Sequence, residues 1–240
     1  MTSRVPEGEL VYAVGDIHGR TDLLAELLRR IEVDAQASAT AETRTLIFLG
    51  DYIDRGPDSR GVIETLVAGL PRGFEAHFLK GNHEALLLGF LDDAATLEAW
   101  LLNDGDTTMA SYGVDIDALY RDRAPPAEWR DAFAAALPDT HLRFFRDLAL
   151  SVSRGGYVFV HAGIRPGVAL ADQMESDLVW IRRPFLDWNE PFEKFVVHGH
   201  TPGHEPVTRA NRICVDTGAC FTGHLTALRL EGATRKFLQT

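Results

Sequence analysis

The sequence predicts an α/β fold, and three observations predict it. Before Leu91, short apolar runs alternate with amphipathic segments, the strand–helix alternation that builds a parallel sheet. Each of the first three runs breaks at a glycine followed by Asp or Asn. From Leu148 onward strand patterns dominate, and no linker separates the two halves.

Leu10-Val11-Tyr12-Ala13-Val14 reads as a buried strand, ending at Gly15-Asp16-Ile17-His18-Gly19. A helix follows with Leu23, Leu24, Leu27, Leu28 and Ile31 on one face, and Thr21 or Asp22 as its expected cap. Thr45-Leu46-Ile47-Phe48-Leu49 is the second strand, broken at Gly50-Asp51. Pro57 marks the start of a second helix whose apolar face is Val62, Ile63, Leu66, Val67 and Leu70. Phe74 to Leu79 is the third strand, broken at Gly81-Asn82-His83. The expected first sheet is therefore mainly parallel.

Leu91 to Thr140, with Trp100, Trp129 and the breaker Pro125-Pro126, reads as a mostly helical insertion or lid. Leu148 to Ser153 and Tyr157 to Val160 flank Arg154-Gly155-Gly156 and predict a hairpin. Phe195 to Val197, Ile213 to Val215 and Leu225 to Leu230 are further strands. The expectation is one domain, residues 1–240, on two sheets.

Composition narrows the function. Twenty-four Lys and Arg against 35 Asp and Glu leave a formal charge of −11. That field repels nucleic acid and anionic membrane, so neither is expected as a partner, while a phosphorylated substrate needs only local positive charge. Two cysteines, Cys214 and Cys220, are too few for a disulfide framework. No apolar signal core precedes Leu10 and no run is long enough to span a bilayer. A soluble cytoplasmic protein is the expectation.

The chemistry gathers where strands end, the side on which open α/β sheets bind ligands. The first three ends carry Asp16 and His18, then Asp51 with Asp54 and Arg55, then Asn82, His83 and Glu84. His161 and the pair His198 and His200 follow two later strands. Mixed carboxylate and imidazole donors suit Mn²⁺, Fe or Zn²⁺ better than the all-oxygen ions Mg²⁺ and Ca²⁺. Gly15, Gly50, Gly81 and Gly199 adjoin these residues, where the backbone must turn and approach closely. His77, His141, His204 and His224 read as structural or surface histidines.

Gly15-Asp16-Ile17-His18-Gly19, Gly50-Asp51-Tyr52-Ile53-Asp54-Arg55-Gly56 and Gly81-Asn82-His83-Glu84 resemble the three signature blocks of the phosphoprotein phosphatases. These are metal-dependent serine/threonine phosphatases within the calcineurin-like metallophosphoesterases. His161-Ala162-Gly163, Trp180-Ile181-Arg182, Gly199-His200-Thr201-Pro202 and Asp216-Thr217-Gly218-Ala219 resemble later blocks of the compact bacterial and phage branch.

The resemblance implies a four-layer αββα sandwich, two mixed sheets flanked by helices. It implies that Asp16 and His18 bind one divalent ion, that Asp51 bridges two, and that Asn82, His161 and His200 bind the other. His200 is preferred to His198 because it completes the Gly-His pair. The wider superfamily often has a further histidine where this chain has Pro202, which leaves the first ion with three protein ligands.

Two ions about 3.5–4 Å apart share a water and lower its pKa; the implied reaction is direct attack of that hydroxide on phosphorus. Arg55 and Arg182, with Asn82, would grip the phosphate, with Arg183 a possible substitute for Arg182. His83 would protonate the leaving alkoxide, oriented by Asp54. Tyr52 and Tyr112 are candidates for the cleft wall. Neither cysteine has the partners of a nucleophile.

The expected function is a metal-dependent serine/threonine protein phosphatase acting on a phosphorylated protein or peptide with two divalent ions, Mn²⁺ first. The alternatives are a symmetrical diadenosine tetraphosphate hydrolase or a broad phosphatase, and, from another class, a non-catalytic phosphopeptide-binding module. Glu84 after His83, and the presence of Asp54, favour the phosphatase over the dinucleotide hydrolase.

Overall fold

The chain opens as expected, with its first strands at the apolar runs. In the computed structural model, which describes residues 3–38 and 41–240, β1 (Glu9–Val14), α1 (Thr21–Gln36), β2 (Thr43–Phe48), α2 (Ser59–Ala68), β3 (Glu75–Phe78) and α3 (Asn82–Asp92) follow one another. The insertion is helical: α4 (Leu97–Leu101), α5 (Gly105–Ser111), α6 (Ile116–Arg121), α7 (Pro126–Ala136) and α8 (Asp139–Arg146). The remainder is β4 (Ser151–Arg154), β5 (Tyr157–Val160), α9 (Glu175–Trp180), β6 (Phe195–His198), β7 (Val207–Thr208), β8 (Arg212–Cys214), α10 (Ala219–Thr222), β9 (Thr226–Glu231) and β10 (Thr234–Gln239).

Two five-stranded sheets result, with strand orders β10-β9-β1-β2-β3 and β4-β5-β6-β8-β7. β1, β2 and β3 are parallel, and their register sets Val14 beside Phe48 and Phe48 beside Phe78. The loops after the three strands therefore leave the sheet level with one another. β5, β6 and β8 are parallel in the second sheet, so the loops after them also emerge together. β9 and β10 close the first sheet in the antiparallel sense, and β4 and β7 flank the second in the same sense, so both sheets are mixed.

Alternation along each strand divides the core into layers. Leu10, Tyr12 and Val14 pack outward against Leu24, Leu27 and Ile31 of α1. Val11, Ala13, Ile47 and Leu49 face inward onto Tyr157, Phe159, Val197 and Ile213 of the second sheet. Val158, Val160 and Val196 face the other way, against Leu178, Ile181 and Phe185. The outer layer there is mostly irregular chain carrying the single short helix α9.

Several local expectations need correction. Neither Thr21 nor Asp22 caps α1: the cap position is Arg20, without a side-chain bond, and the Thr21 hydroxyl donates to the Asp58 carbonyl. Asp58 caps α2 by accepting from Gly61 N at 2.9 Å, so that helix begins after Pro57. Val67 is exposed and Leu70 lies past the helix end. Leu148 to Leu150 are not part of the hairpin strand. Ala149 bridges Leu79 in parallel instead, its N–H donating to the Phe78 carbonyl at 3.0 Å, and this links the edges of the two sheets.

Phe159 is fully buried in the layer between the sheets. Phe159→Ala should cost about 3–5 kcal/mol in urea unfolding; a loss below about 1 kcal/mol would mean that the sheets do not depend on this contact.

Candidate metal centre

Asp51 is the geometric hub. It follows the end of β2, and its two carboxylate oxygens face different groups of imidazoles. Oδ2 lies 3.5 Å from His18 Nε2 and 3.8 Å from His83 Nε2. Oδ1 lies 3.4 Å from His161 Nε2, and His200 completes that second group. All these side chains are at least nine-tenths buried.

The ring orientations are fixed from behind. His18 Nδ1–H donates to the Ile53 carbonyl at 2.8 Å and His161 Nδ1–H to the Leu49 carbonyl at 2.9 Å. Such bonds select the tautomer whose Nε2 keeps a lone pair. The Nε2 of His161 then faces the Asn82 side-chain oxygen at 3.0 Å and the Nδ1 of His200 at 3.2 Å. Lone-pair donors converging this closely in a buried site repel unless a cation sits among them. Burial also pushes His18 and His200 down to about 3, so both are neutral, as a ligand must be. The residues fit divalent ions.

Asp16 is placed differently from the other expected ligands. Its carboxylate accepts the His200 N–H at 3.0 Å and contacts the carboxylate of Asp216. Among the described residues it belongs to neither of the two close ligand groups. Burial first, then the charges of Asp216 and Asp51, raise its pKa well above the usual range. Arg55 Nη1 sits 2.8 Å from His18 Nε2.

His83 and Asp54 form a buried pair. His83 Nδ1 donates to Asp54 Oδ2 at 2.6 Å, and His83 Nε2 has no hydrogen-bond partner among the described residues. Burial lowers the imidazole pKa, but Asp51 and Asp54 outweigh it and hold it raised. Asp54 is gripped by the insertion. Trp100 Nε1–H donates to Oδ2 at 2.9 Å, and the Thr108 hydroxyl donates to Oδ1 at 2.6 Å while accepting the Asp54 N–H at 2.9 Å. No motif in the sequence signals these two residues.

Glu84 is not aimed at the centre. Its Oε2 accepts from Asp51 N and Gly81 N, both at 2.9 Å, and its Oε1 from Tyr52 N at 2.8 Å. Burial first, then the Asp51 charge, push it up to about 8. Gly50 has φ +106°, and a Cβ there would lie 2.6 Å from Gly81 N, so only glycine fits where the loops cross.

A cleft of about 230 Å³ opens over the group, lined by Asp51, Asn82, Arg55, Arg182, Trp180 and Phe221 among others. Arg182 Nη2 donates to the His200 carbonyl at 3.1 Å. Arg183 points elsewhere and pairs with Asp187. His198 is buried against Phe185, not in the cleft, and its Nδ1 contacts the Gly199 carbonyl. Tyr52 is fully buried, its hydroxyl donating to the Leu79 carbonyl. Tyr112 is bonded to His141 beneath the insertion. Neither tyrosine lines the cleft.

This geometry can be set beside known proteins. The sequence matches the family described as calcineurin-like phosphoesterase over residues 10–226. The chain belongs to that family. It is a phosphoesterase hydrolase of the kind that works with a binuclear divalent metal centre. It is 30% identical to "Serine/threonine-protein phosphatase 1" of Salmonella typhimurium (strain LT2) over 228 residues, 92% of each chain, in keeping with the phosphoprotein phosphatase blocks. It is 28% identical to "Bis(5'-nucleosyl)-tetraphosphatase PrpE [asymmetrical]" of Oceanobacillus iheyensis, over 90% of this chain and 86% of that one. A cold-active protein tyrosine phosphatase shares the fold at a TM-score of 0.55 and 18% identity, covering 98% of this chain and 81% of that chain. No helix among the described residues is long and apolar enough to cross a membrane.

Removing Glu84 leaves three buried N–H groups orphaned, each costing about 1–3 kcal/mol. Glu84→Ala should therefore lose at least about 3 kcal/mol in thermal unfolding, and an unchanged midpoint would show that the loops hold without it.

Proposed function

We propose that the chain is a metal-dependent serine/threonine protein phosphatase that hydrolyses phosphomonoesters directly. The observation that carries the reading is the His83–Asp54 pair, whose unpartnered His83 Nε2 faces the Asp51 group beneath a cleft bearing Arg55 and Arg182. The reading takes residues 1–240 as one metallophosphoesterase domain with residues 91–140 as its insertion.

Asp16, His18 and Asp51 would hold one ion, and Asp51, Asn82, His161 and His200 the other, with Mn²⁺ the first choice. When bound, the ions supply Lewis acidity and an activated water. Arg55 and Arg182 would neutralise the phosphate oxygens, two guanidinium forks matching two oxygens each, and Asn82 would assist. His83 would deliver its Nε2 proton to the leaving alkoxide. Asp54 keeps the imidazole protonated and aimed, which the poor leaving group of phosphoserine requires. The substrate would be a phosphorylated protein or peptide.

A second reading is supported by the relatives named as tetraphosphatases and by two exposed rings at the cleft, Trp180 and Phe221. They suit a nucleotide base, and the relatives' names favour asymmetrical cleavage over the symmetrical cleavage of the sequence-based alternative.

The deciding measurement uses metal-stripped protein reloaded with Mn²⁺. Phosphoserine-peptide turnover should exceed hydrolysis of diadenosine tetraphosphate; the reverse preference would move the chain to the second reading. His83→Asn should lower kcat by roughly 10²–10⁴-fold with Mn²⁺ content unchanged, and equal turnover would remove His83 from its role. Trp100→Phe keeps the ring but removes the donor to Asp54. It should lower kcat roughly 10-fold, the worth of one hydrogen bond to a charged group, with KM held.

A further inference from the structure

A larger cleft, about 780 Å³, lies at the other end of the second sheet. Gly156, Phe195 and Asn211 in its wall stand at the N-terminal ends of β5, β6 and β8. His161, His200 and Asp216 follow the opposite ends of the same strands. A four-residue strand spans ~13 Å, so this cleft is separate from the metal centre.

Its charge runs against that of the chain. The protein carries a formal −11, yet Arg4, Lys194, Arg209 and Arg235 line the cleft with Glu193 as its one acidic residue. Two of the cations are fixed. The Arg235 guanidinium lies 4.0 Å from the Phe195 ring centroid and its Nε donates to the Tyr157 hydroxyl at 2.9 Å. Lys194 Nζ donates to the Gly155 carbonyl at 3.1 Å. Arg4 and Arg209 are exposed and have no ion pair among the described residues. The backbone that carries Arg4 is itself tied down, because Gly156 N donates to the Arg4 carbonyl at 2.9 Å and the Tyr157 hydroxyl to the Ser3 carbonyl at 3.0 Å.

Four cations lining one concavity, two of them fixed, repel one another, and an anion entering it relieves that repulsion. Guanidinium forks match phosphate oxygens in pairs, and the volume is that of a small-molecule site. The partly buried rings of Phe192 and Phe195 add an apolar wall.

We propose that this cleft is a second binding site, for a small phosphorylated anion of the nucleoside phosphate class, with Arg4 and Arg209 closing on the phosphate. It is independent of the catalytic site and of the substrate reading above.

The test is an amide NMR titration of Zn²⁺-loaded protein with AMP, supplied as its non-hydrolysable methylenephosphonate analogue, and, separately, with inorganic phosphate. Saturable shifts are expected at Gly155, Gly156 and Asn211. Arg4→Ala/Arg209→Ala should weaken them at least tenfold while phosphopeptide kcat/KM stays within twofold. Saturation at tenfold lower AMP than phosphate assigns a nucleotide, and equal affinities assign phosphate alone. Shifts confined to the residues around Asp51 and Asn82, or distal shifts that persist in the double variant, overturn the site.

Discussion

The carboxyl group of Glu84 is the constraint on which the centre depends. Three backbone N–H groups from two loops point at it, two beyond β2 and one ahead of α3. A buried carboxyl group accepting three donors satisfies groups that burial would otherwise leave orphaned. With the two loops pinned, His83 N donates to Asp51 Oδ1 at 3.2 Å, and the hub and the neighbouring imidazole keep one spacing. Glu84, which the sequence places at the same strand end as Asn82 and His83, thus sits one step behind the candidate centre.

The loops at these strand ends store backbone strain. Of the seven non-glycine residues with positive φ among those described, five are His18, Asp51, Asp54, Arg55 and His200. Each such conformation costs of order 1–3 kcal/mol and persists only where its surroundings over-determine it. Here they do. Ile17 N and His18 N both donate to the Asp51 carbonyl, at 3.0 and 2.9 Å, and Gly19 N donates to the Tyr52 carbonyl at 2.9 Å. Two sharply turned loops hold each other, and both deliver side chains to one point.

Much of this was legible in the sequence, for a physical reason. β1, β2, β5 and β6 are buried on both faces, so they read as near-continuous apolar runs, and the glycine-polar breaks after them mark where the chain must turn. β10 was missed because it is an edge strand, and Thr234-Arg235-Lys236 presents no apolar alternation. β7 has two residues and α10 four, too short for any period. The helical insertion was legible as helix from its composition, but its contribution to the site was not. Trp100 and Thr108 reach Asp54 across more than forty positions of sequence, and only the packed fold brings them together. Tyr112 went the other way: it looked like a cleft residue and is a buried partner of His141.

The insertion meets the candidate centre from beneath, through Asp54. Its buried face supplies the two donors that hold Asp54, while Asn103 is the insertion residue that reaches the cleft. Asp51, His161, His200 and the His83–Asp54 pair are buried, whereas Trp180, Phe221, Arg182 and Asn103 form the rim of the cleft. Arg182 reaches the cleft from the segment after α9, and Phe221 sits on α10. Both lie apart from the strand ends that carry Asp51, His161 and His200, so the rim and the buried group are built from different parts of the chain.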